Sequence, residues 1–123
     1  MKQWLFRGWD VIGNKWVYGD LVHNKKVTAT GLDDRTMVGG YEVDPESVGV
    51  FSGHKDLNGV DVYEGDIIMD LWNLRNTVVW DEEASGLYLL SGGYFSTFMD
   101  AEFKTFRVIG NTYQNKGHDD RQS

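Results

Sequence analysis

The sequence predicts a mainly β protein: a small antiparallel barrel preceded by an N-terminal β-hairpin and an intervening irregular segment. Short runs of β-branched and aromatic residues recur at regular spacing along residues 60–109, and turn-forming residues separate them. The composition agrees, since 41% of the residues are hydrophobic and 14% aromatic, which is typical of a packed core. A chain of 123 residues is long enough to bury such a core without metal or disulfides.

The N-terminal hairpin is predicted from two aromatic runs that flank a turn. The runs are residues 4–7 and 15–18, and the turn-rich stretch between them is 10–14. The segment up to residue 47 has weak periodicity and is predicted to be rich in loops. Within it, Asp44 followed by Pro45 fits either the first residues of a single helical turn or a loop, and the sequence does not decide between them.

The barrel is predicted over residues 48–113. Asn58 and Gly59 predict a tight hairpin turn, because both residue types adopt positive φ at low cost. The predicted strands are residues 60–63, 67–72, 77–80, 87–90 and 106–109. A short helix is predicted within residues 94–103 from the three- and four-residue spacing of Phe95, Phe98 and Met99. The polar residues 116–123 are predicted to form a disordered tail.

Several motifs carry a resemblance to a known family. They are FRGWD at 6–10, VDPESVG at 43–49, KDLNGVDVYEGDI at 55–67, VVW at 78–80 and VIGNTYQN at 108–115. In this order and spacing the chain resembles the YopX family of phage and prophage proteins, over nearly its whole length. It departs from the family pattern at Ser52, Gly53 and His54, where Thr-Gly-Leu is usual, and at Thr112, where an aliphatic residue is common. The resemblance implies one domain over residues 1–115 with an SH3-like barrel, and it implies no defined reaction.

The charge and the cysteine content exclude several classes of function. The net charge of −7 argues against nucleic acid as a partner, because each phosphate contact normally requires a lysine or arginine. The chain has no cysteine, so disulfides and zinc–thiolate sites are excluded. No apolar run approaches the roughly 20 residues that cross a bilayer, and no signal peptide is recognised. We therefore expect a cytoplasmic protein with no membrane contact, and the resemblance to phage and prophage proteins implies that the cell is a bacterial host.

Two turn motifs could be mistaken for functional sites. The oxygen donors of residues 56–61 alternate as in a calcium loop, but Gly59 is fourth instead of sixth and the twelfth residue is not glutamate. Glu64 and Asp66 could act as acid and base, yet Gly65 between them indicates a bend in which Asp66 binds backbone amides.

We therefore predict that the residues of these two motifs are structural. The predicted structural turn residues are Asn58, Gly59, Gly65 and Asp66. Residues 81–83 are predicted to be a solvated acidic loop. No catalytic residue, metal site or cofactor is predicted, and we do not expect an enzyme.

The tryptophans are the candidates for a binding surface. A barrel of few strands has a narrow interior, and aromatic residues are enriched at the centres of protein interfaces. The interface candidates are Trp4, Trp9, Trp16 and Trp72. We therefore predict an accessory protein that acts through protein–protein contacts and self-association, as a homo-oligomer or with a phage or host protein, with the N-terminal segment as the expected contact. The alternative is a small nucleic-acid-binding barrel.

Overall fold

The computed structural model describes residues 5–97 and 105–114, and these ranges form antiparallel β-strands. The strands are β1 (Phe6–Asp10), β2 (Lys15–Gly19), β3 (Leu21–Thr28), β4 (Gly31–Val38), β5 (Tyr41–Lys55), β6 (Asp61–Tyr63), β7 (Asp66–Met69), β8 (Arg75–Asp81), β9 (Gly86–Ser91), β10 (Tyr94–Thr97) and β11 (Arg107–Asn111). The chain divides into two compact units, Met1–Phe51 and Ser52–Ser123. The mainly β, antiparallel class predicted from the sequence is confirmed.

The first unit is built on a sheet in the order β2-β1-β5-β4-β3. The predicted N-terminal hairpin is present, with Trp9 of β1 opposite Trp16 of β2. Its loop is stabilised by Asp10, whose carboxylate accepts a hydrogen bond from the Gly13 amide at 2.9 Å. Asn14 closes the loop at a φ of 56°, a conformation that asparagine tolerates better than most residues.

The prediction of an irregular segment before residue 48 is wrong. These residues form β3, β4 and the first part of β5, and β3 pairs with β4 along its whole length. The sequence pattern does not indicate these strands, because most of β3 is exposed and its residues do not alternate between apolar and polar. Cross-strand polar pairs support them instead, such as the ion pair of Lys25 with Asp34 at 2.5 Å.

Asp44 and Pro45 lie inside β5, so neither of the two alternatives, a helical turn or a loop, is correct. The pairing of β1 with β5 changes register beside Trp9, which is opposite Asp44. Such an irregularity is where a sheet tolerates proline, since its missing N–H leaves no ladder bond unmade. Ser47 bridges β1 and β5 at this irregularity. Its hydroxyl accepts a hydrogen bond from the Trp9 amide at 2.7 Å and donates one to the Asp44 carbonyl at 2.6 Å.

A type I′ turn of two glycines joins β4 to β5. Gly39 and Gly40 have φ values of 58° and 87°, the left-handed conformation that this hairpin turn requires at both central residues. Gly39 also lies against the end of β2, so that a Cβ atom there would overlap the carbonyl oxygen of Tyr18. The core of this unit is formed by Val17, Val38 and Val43, with Phe6, Leu21 and Val48 packed against them.

The second unit is built on a sheet in the order β10-β9-β8-β7-β11, and β6 pairs with β5. Every second residue of β7, β8 and β9 points to the same face, and that face carries the core. The core is formed by Val62, Ile68, Val78 and Leu89, with Leu87, Phe106 and Val108 packed against them.

The predicted closed, SH3-like barrel is not confirmed. The strands of residues 48–113 form antiparallel sheets, and within the described ranges no pairing of β10 with β11 closes the second sheet. The predicted helix is also wrong where it can be compared, because Tyr94–Thr97 is strand β10. Phe98, Met99 and the predicted tail lie outside the described residues.

Candidate functional site

Residues 56–60 connect β5 to β6 as a loop organised around one carboxylate. The Oδ1 atom of Asp56 accepts hydrogen bonds from the Asn58 and Val60 amides at 2.8 and 2.9 Å. Its Oδ2 atom accepts a hydrogen bond at 2.9 Å from the amide of Val108, 52 residues further along the chain. The side chain is buried, with 6% of its surface exposed. Asp56 therefore fixes both the loop and the position of β11.

The backbone of this loop differs from the tight turn predicted at Asn58 and Gly59. Gly59 has a φ of 80°, whereas Asn58 is not among the described residues with positive φ. The Asp56 amide donates to the Val60 carbonyl at 2.8 Å, and the Gly59 amide donates to the Asp56 carbonyl at 3.0 Å. The turn is thus longer than the two-residue turn expected from Asn-Gly, and only the glycine needs its conformational freedom.

Two opposing effects set the pKa of Asp56. Burial alone would raise the pKa, because it disfavours the charged carboxylate. The hydrogen bonds donated by the backbone amides of Val108, Val60 and Asn58 stabilise the charged form and together outweigh burial. The pKa of Asp56 in the folded protein is therefore below its usual value.

This shift predicts a loss of stability in acid. The pKa of Asp56 is lower in the folded than in the unfolded chain. The contribution of this carboxylate to the free energy of unfolding is therefore fully present above the unfolded pKa of about 3.9. The contribution is lost as pH falls from there through the folded pKa. We expect the urea concentration at the unfolding midpoint to decrease as the pH is lowered below about 4. In an Asp56→Asn variant this decrease should be less steep. Identical pH profiles for the two proteins would contradict this assignment.

Residues 70–74, which connect β7 to β8, repeat the geometry of the Asp56 loop. The Oδ1 atom of Asp70 accepts from the Trp72 and Leu74 amides at 2.9 and 3.0 Å. The Asp70 amide donates to the Leu74 carbonyl at 3.1 Å, and Asn73 has a φ of 63° where the first loop has glycine. The two sequences, DLNGV and DLWNL, share the aspartate, the leucine and a residue that tolerates positive φ. Their spacing is the sequence signal that would have predicted the second loop.

The second loop presents apolar side chains to solvent. Leu71, Trp72 and Leu74 are 68%, 78% and 57% exposed. The structure thus places one predicted interface candidate, Trp72, at an exposed position on a loop whose backbone is fixed by hydrogen bonds. We call the side chains of Leu71, Trp72 and Leu74 the Trp72 patch.

The other tryptophan candidates have different surroundings. Trp9 and Trp16 are half-buried, and their rings meet edge to face with centroids 5.2 Å apart. The guanidinium of Arg7 lies 4.4 Å from the centroid of the Trp16 ring, within the range of a cation–π contact. These residues stabilise one another within the first unit. Trp4 lies outside the described residues.

The turn at Gly65 and Asp66 connects β6 to β7. Asp66 is 2% exposed, and its Oδ2 atom accepts a hydrogen bond from the Tyr63 amide at 2.7 Å. Gly65 has a φ of 93°, and its amide donates to the Val78 carbonyl at 2.7 Å. The carboxylate of Asp66 is thus hydrogen-bonded to the backbone in the interior of the second unit.

Charged residues are unevenly distributed between the two ends of the second sheet. Arg75 and Arg107 each lie directly opposite Met69, on β8 and β11 respectively, so the three side chains share one face. Both arginines are exposed, and they begin their strands at the end that carries the Trp72 patch. The acidic residues Asp81, Glu82 and Glu83 lie at the opposite end, where β8 meets the loop to β9. We call these two places the Trp72 end and the acidic end.

The described part of the chain contains neither a cluster of metal ligands nor a membrane-spanning helix. Across residues 5–97 and 105–114, no three histidine, cysteine, aspartate or glutamate side chains come together as a metal site would require. Nor do these ranges contain a helix long and apolar enough to cross a membrane.

Comparisons with known proteins give the chain a family. Residues 5–117 match the model of the YopX protein family. Among solved structures, protein EF1440 from Enterococcus faecalis is similar with a TM-score of 0.55, 17% identity, and coverage of 94% of this chain and 96% of that chain. At this identity the similarity shows a shared fold alone. No curated protein gives a significant match. The chain therefore belongs to the YopX family.

Proposed function

We propose that this YopX-family chain is a phage or prophage accessory protein of the bacterial cytoplasm that acts through protein–protein contacts, including contacts between copies of itself. The proposed role involves no catalysis. The observation that carries it is the Trp72 patch, which exposes three large apolar side chains on one five-residue loop. Contiguous exposed apolar surface of this kind is typical of an interaction site in a water-soluble domain.

The loop supports this role because its backbone is already ordered. Binding costs conformational entropy when a loop must be fixed, and hydrogen bonds from Trp72 and Leu74 to Asp70 fix this one in advance. Tryptophan is among the residues that dominate interface energies, especially when apolar neighbours exclude water around it. The Asp56 loop has Asn58 at the position that corresponds to Trp72, so the shared loop geometry does not require tryptophan.

Nucleic acid is the second candidate partner, and one observation favours it. Trp72 lies at the same end of the sheet as Arg75 and Arg107, and aromatic rings combined with arginines bind single strands by stacking. The net charge of −7 opposes it. We expect affinity for duplex or single-stranded DNA weaker than about 10⁻⁴ M at physiological salt, measured by fluorescence anisotropy. Micromolar binding with a steep salt dependence would place this candidate first.

Self-association predicts a specific effect of Trp72→Ala. In sedimentation equilibrium at micromolar concentration, the wild-type chain is expected at a multiple of its 14.0 kDa mass. Trp72→Ala should weaken association by about 2 kcal/mol or more, which is roughly 30-fold in Kd, because it removes the centre of the contact.

Val27→Ala is the matched control for this experiment. Val27 is 84% exposed, on β3 in the first unit, so its replacement removes apolar surface outside both the Trp72 patch and the N-terminal hairpin. It should leave the mass distribution unchanged. A wild-type chain that sediments as a single 14.0 kDa species would refute self-association.

A further inference from the structure

We infer that Asn58 is a site of spontaneous deamidation, and that the Asp56 loop (residues 56–60) keeps this site closed in the folded protein. The site is independent of the proposed function, because it involves no partner. Asn58 and Gly59 form the single Asn-Gly pair in the sequence. Both residues are exposed, so water, which is the other reactant, reaches them.

The reaction joins two neighbouring groups of the chain. The backbone nitrogen of Gly59 attacks the side-chain Cγ atom of Asn58, and its proton passes through solvent to the side-chain nitrogen, which leaves as ammonia. Water then opens the resulting five-membered imide at either carbonyl, which leaves aspartate or isoaspartate at position 58. Glycine after asparagine makes this reaction fast, because no Cβ atom obstructs the attacking nitrogen.

The folded loop restrains the attacking nitrogen. The Gly59 amide donates a hydrogen bond to the Asp56 carbonyl at 3.0 Å, and the attack removes the proton that makes this bond. The Asn58 and Val60 amides donate to the Asp56 carboxylate at 2.8 and 2.9 Å, which fixes the backbone on both sides of the reacting atoms. Deamidation therefore proceeds from an opened loop, and its rate follows the population of that open state.

The modified chain cannot rebuild the same loop. Aspartate at position 58 adds a negative charge close to the Asp56 carboxylate, and like charges repel. Isoaspartate adds one carbon atom to the main chain between the two loop amides that Asp56 binds. Asp56 also accepts from the Val108 amide at 2.9 Å, so the disturbance extends to β11. We expect the modified chain to be less stable, so that deamidation makes one opening of the loop permanent.

Peptide mapping by mass spectrometry tests the inference on the full chain. Wild type is incubated in mildly alkaline buffer, either folded or unfolded in urea, and the deamidated fraction is followed over time. The folded chain should deamidate at Asn58 at least about tenfold more slowly, because hydrogen bonds of the loop must open first.

Asn73 is the internal control, in the loop of residues 70–74 that has the same geometry. Leu74 follows it, so a side chain obstructs the attacking nitrogen, and the Leu74 amide is bound to the Asp70 carboxylate at 3.0 Å. Trypsin releases both asparagines in one peptide, residues 56–75, in which fragment ions distinguish them. Asn73 should stay intact while Asn58 reacts.

Asp56→Ala tests whether this carboxylate closes the site. The folded variant should deamidate at Asn58 several-fold faster than folded wild type, whereas Asp70→Ala, which loosens the other loop, should match wild type. Circular dichroism shows whether Asp56→Ala is folded. If it is not, Asp56→Asn, which keeps one acceptor oxygen, replaces it with the same expected direction.

Three results would overturn the inference. An Asn58 that stays intact in the unfolded chain would refute the modification site. Equal rates in folded and unfolded wild type, or a folded Asp56 variant that reacts no faster than wild type, would show that the loop does not close the site. The deamidated protein, separated by its added negative charge, should unfold at a lower urea concentration than the unmodified chain, and equal midpoints would refute the permanent change in the loop.

Discussion

Replacing Asp56 with alanine is expected to lower the free energy of unfolding by about 3 kcal/mol. The change leaves the amides of Asn58, Val60 and Val108 without their acceptor. The first two amides belong to exposed residues and can bind water, whereas Val108 packs against the core of the second unit. A hydrogen bond to a charged group contributes about 1.5–3 kcal/mol, and a buried donor left without a partner adds to the loss. Urea denaturation measures the effect.

Asp70→Ala is the matched control for Asp56→Ala. Asp70 organises the same loop geometry through hydrogen bonds from its own loop, which is exposed, whereas Asp56 also holds the distant amide of Val108. We expect Asp70→Ala to cost about 1 kcal/mol, similar to the loss of a capping side chain. Both changes are best made in the Trp72→Ala background, so that association does not contribute to the measured stability. Equal losses for the two variants would show that the bond to Val108 contributes little.

Gly39→Ala is expected to destabilise the protein by more than about 3 kcal/mol. The residue has a φ of 58°, which costs a side-chain-bearing residue about 1–2 kcal/mol by itself. In addition, the new Cβ atom would overlap the carbonyl oxygen of Tyr18, a backbone atom at the end of β2 that cannot rotate away. Either the β4–β5 turn or the end of β2 must move, and this movement disturbs the packing of the core of the first unit.

Gly40→Ala separates the two causes. Gly40 has a φ of 87°, and a Cβ atom at this position would meet no atom within 4 Å beyond its chain neighbours, so only the conformational cost remains. We expect a loss of about 1–2 kcal/mol. Chemical denaturation of both variants measures the two losses of stability. If Gly40→Ala is as destabilising as Gly39→Ala, the overlap with the Tyr18 carbonyl oxygen does not add to the conformational cost.

The strands that the sequence predicts correctly are those with one buried face. β8 alternates between buried and more exposed residues, with Asn76 and Val78 inside, and alternation of this kind is the signal of a half-buried strand. β3 and β4 lack it because much of their length is exposed on both faces. Their register depends on pairs such as Lys25 with Asp34, which are nine residues apart and not recognisable from periodicity. The glycine pair at 39 and 40 is the hairpin signal that the sequence offers there.

The candidate surface is only partly predictable. Trp72 follows from its residue type, but the sequence pattern predicts a strand that continues through it. The strand β7 ends at Met69, because the carboxylate of Asp70 captures the amides of Trp72 and Leu74 and turns the chain. Arg75 lies opposite Met69 through the local β7–β8 hairpin. Arg107 lies on the other side of Met69 because β11 pairs with β7, 38 residues away, and no local pattern encodes that pairing.

The loop at Asp56 also bears on the solubility of the protein. Among the described strands, β11 is an outer one of its sheet, and an outer strand with open N–H and C=O groups is a template for aggregation. Here the Val108 amide is occupied by the Asp56 carboxylate and the Phe106 carbonyl by the Leu57 amide, each at 2.9 Å, so a side chain and a loop take the place of a further strand. Protonation of Asp56 weakens this protection at acidities at which the protein also loses the net negative charge that favours solubility. In acid, therefore, we expect the outer edge of β11 to become more open to pairing with other chains.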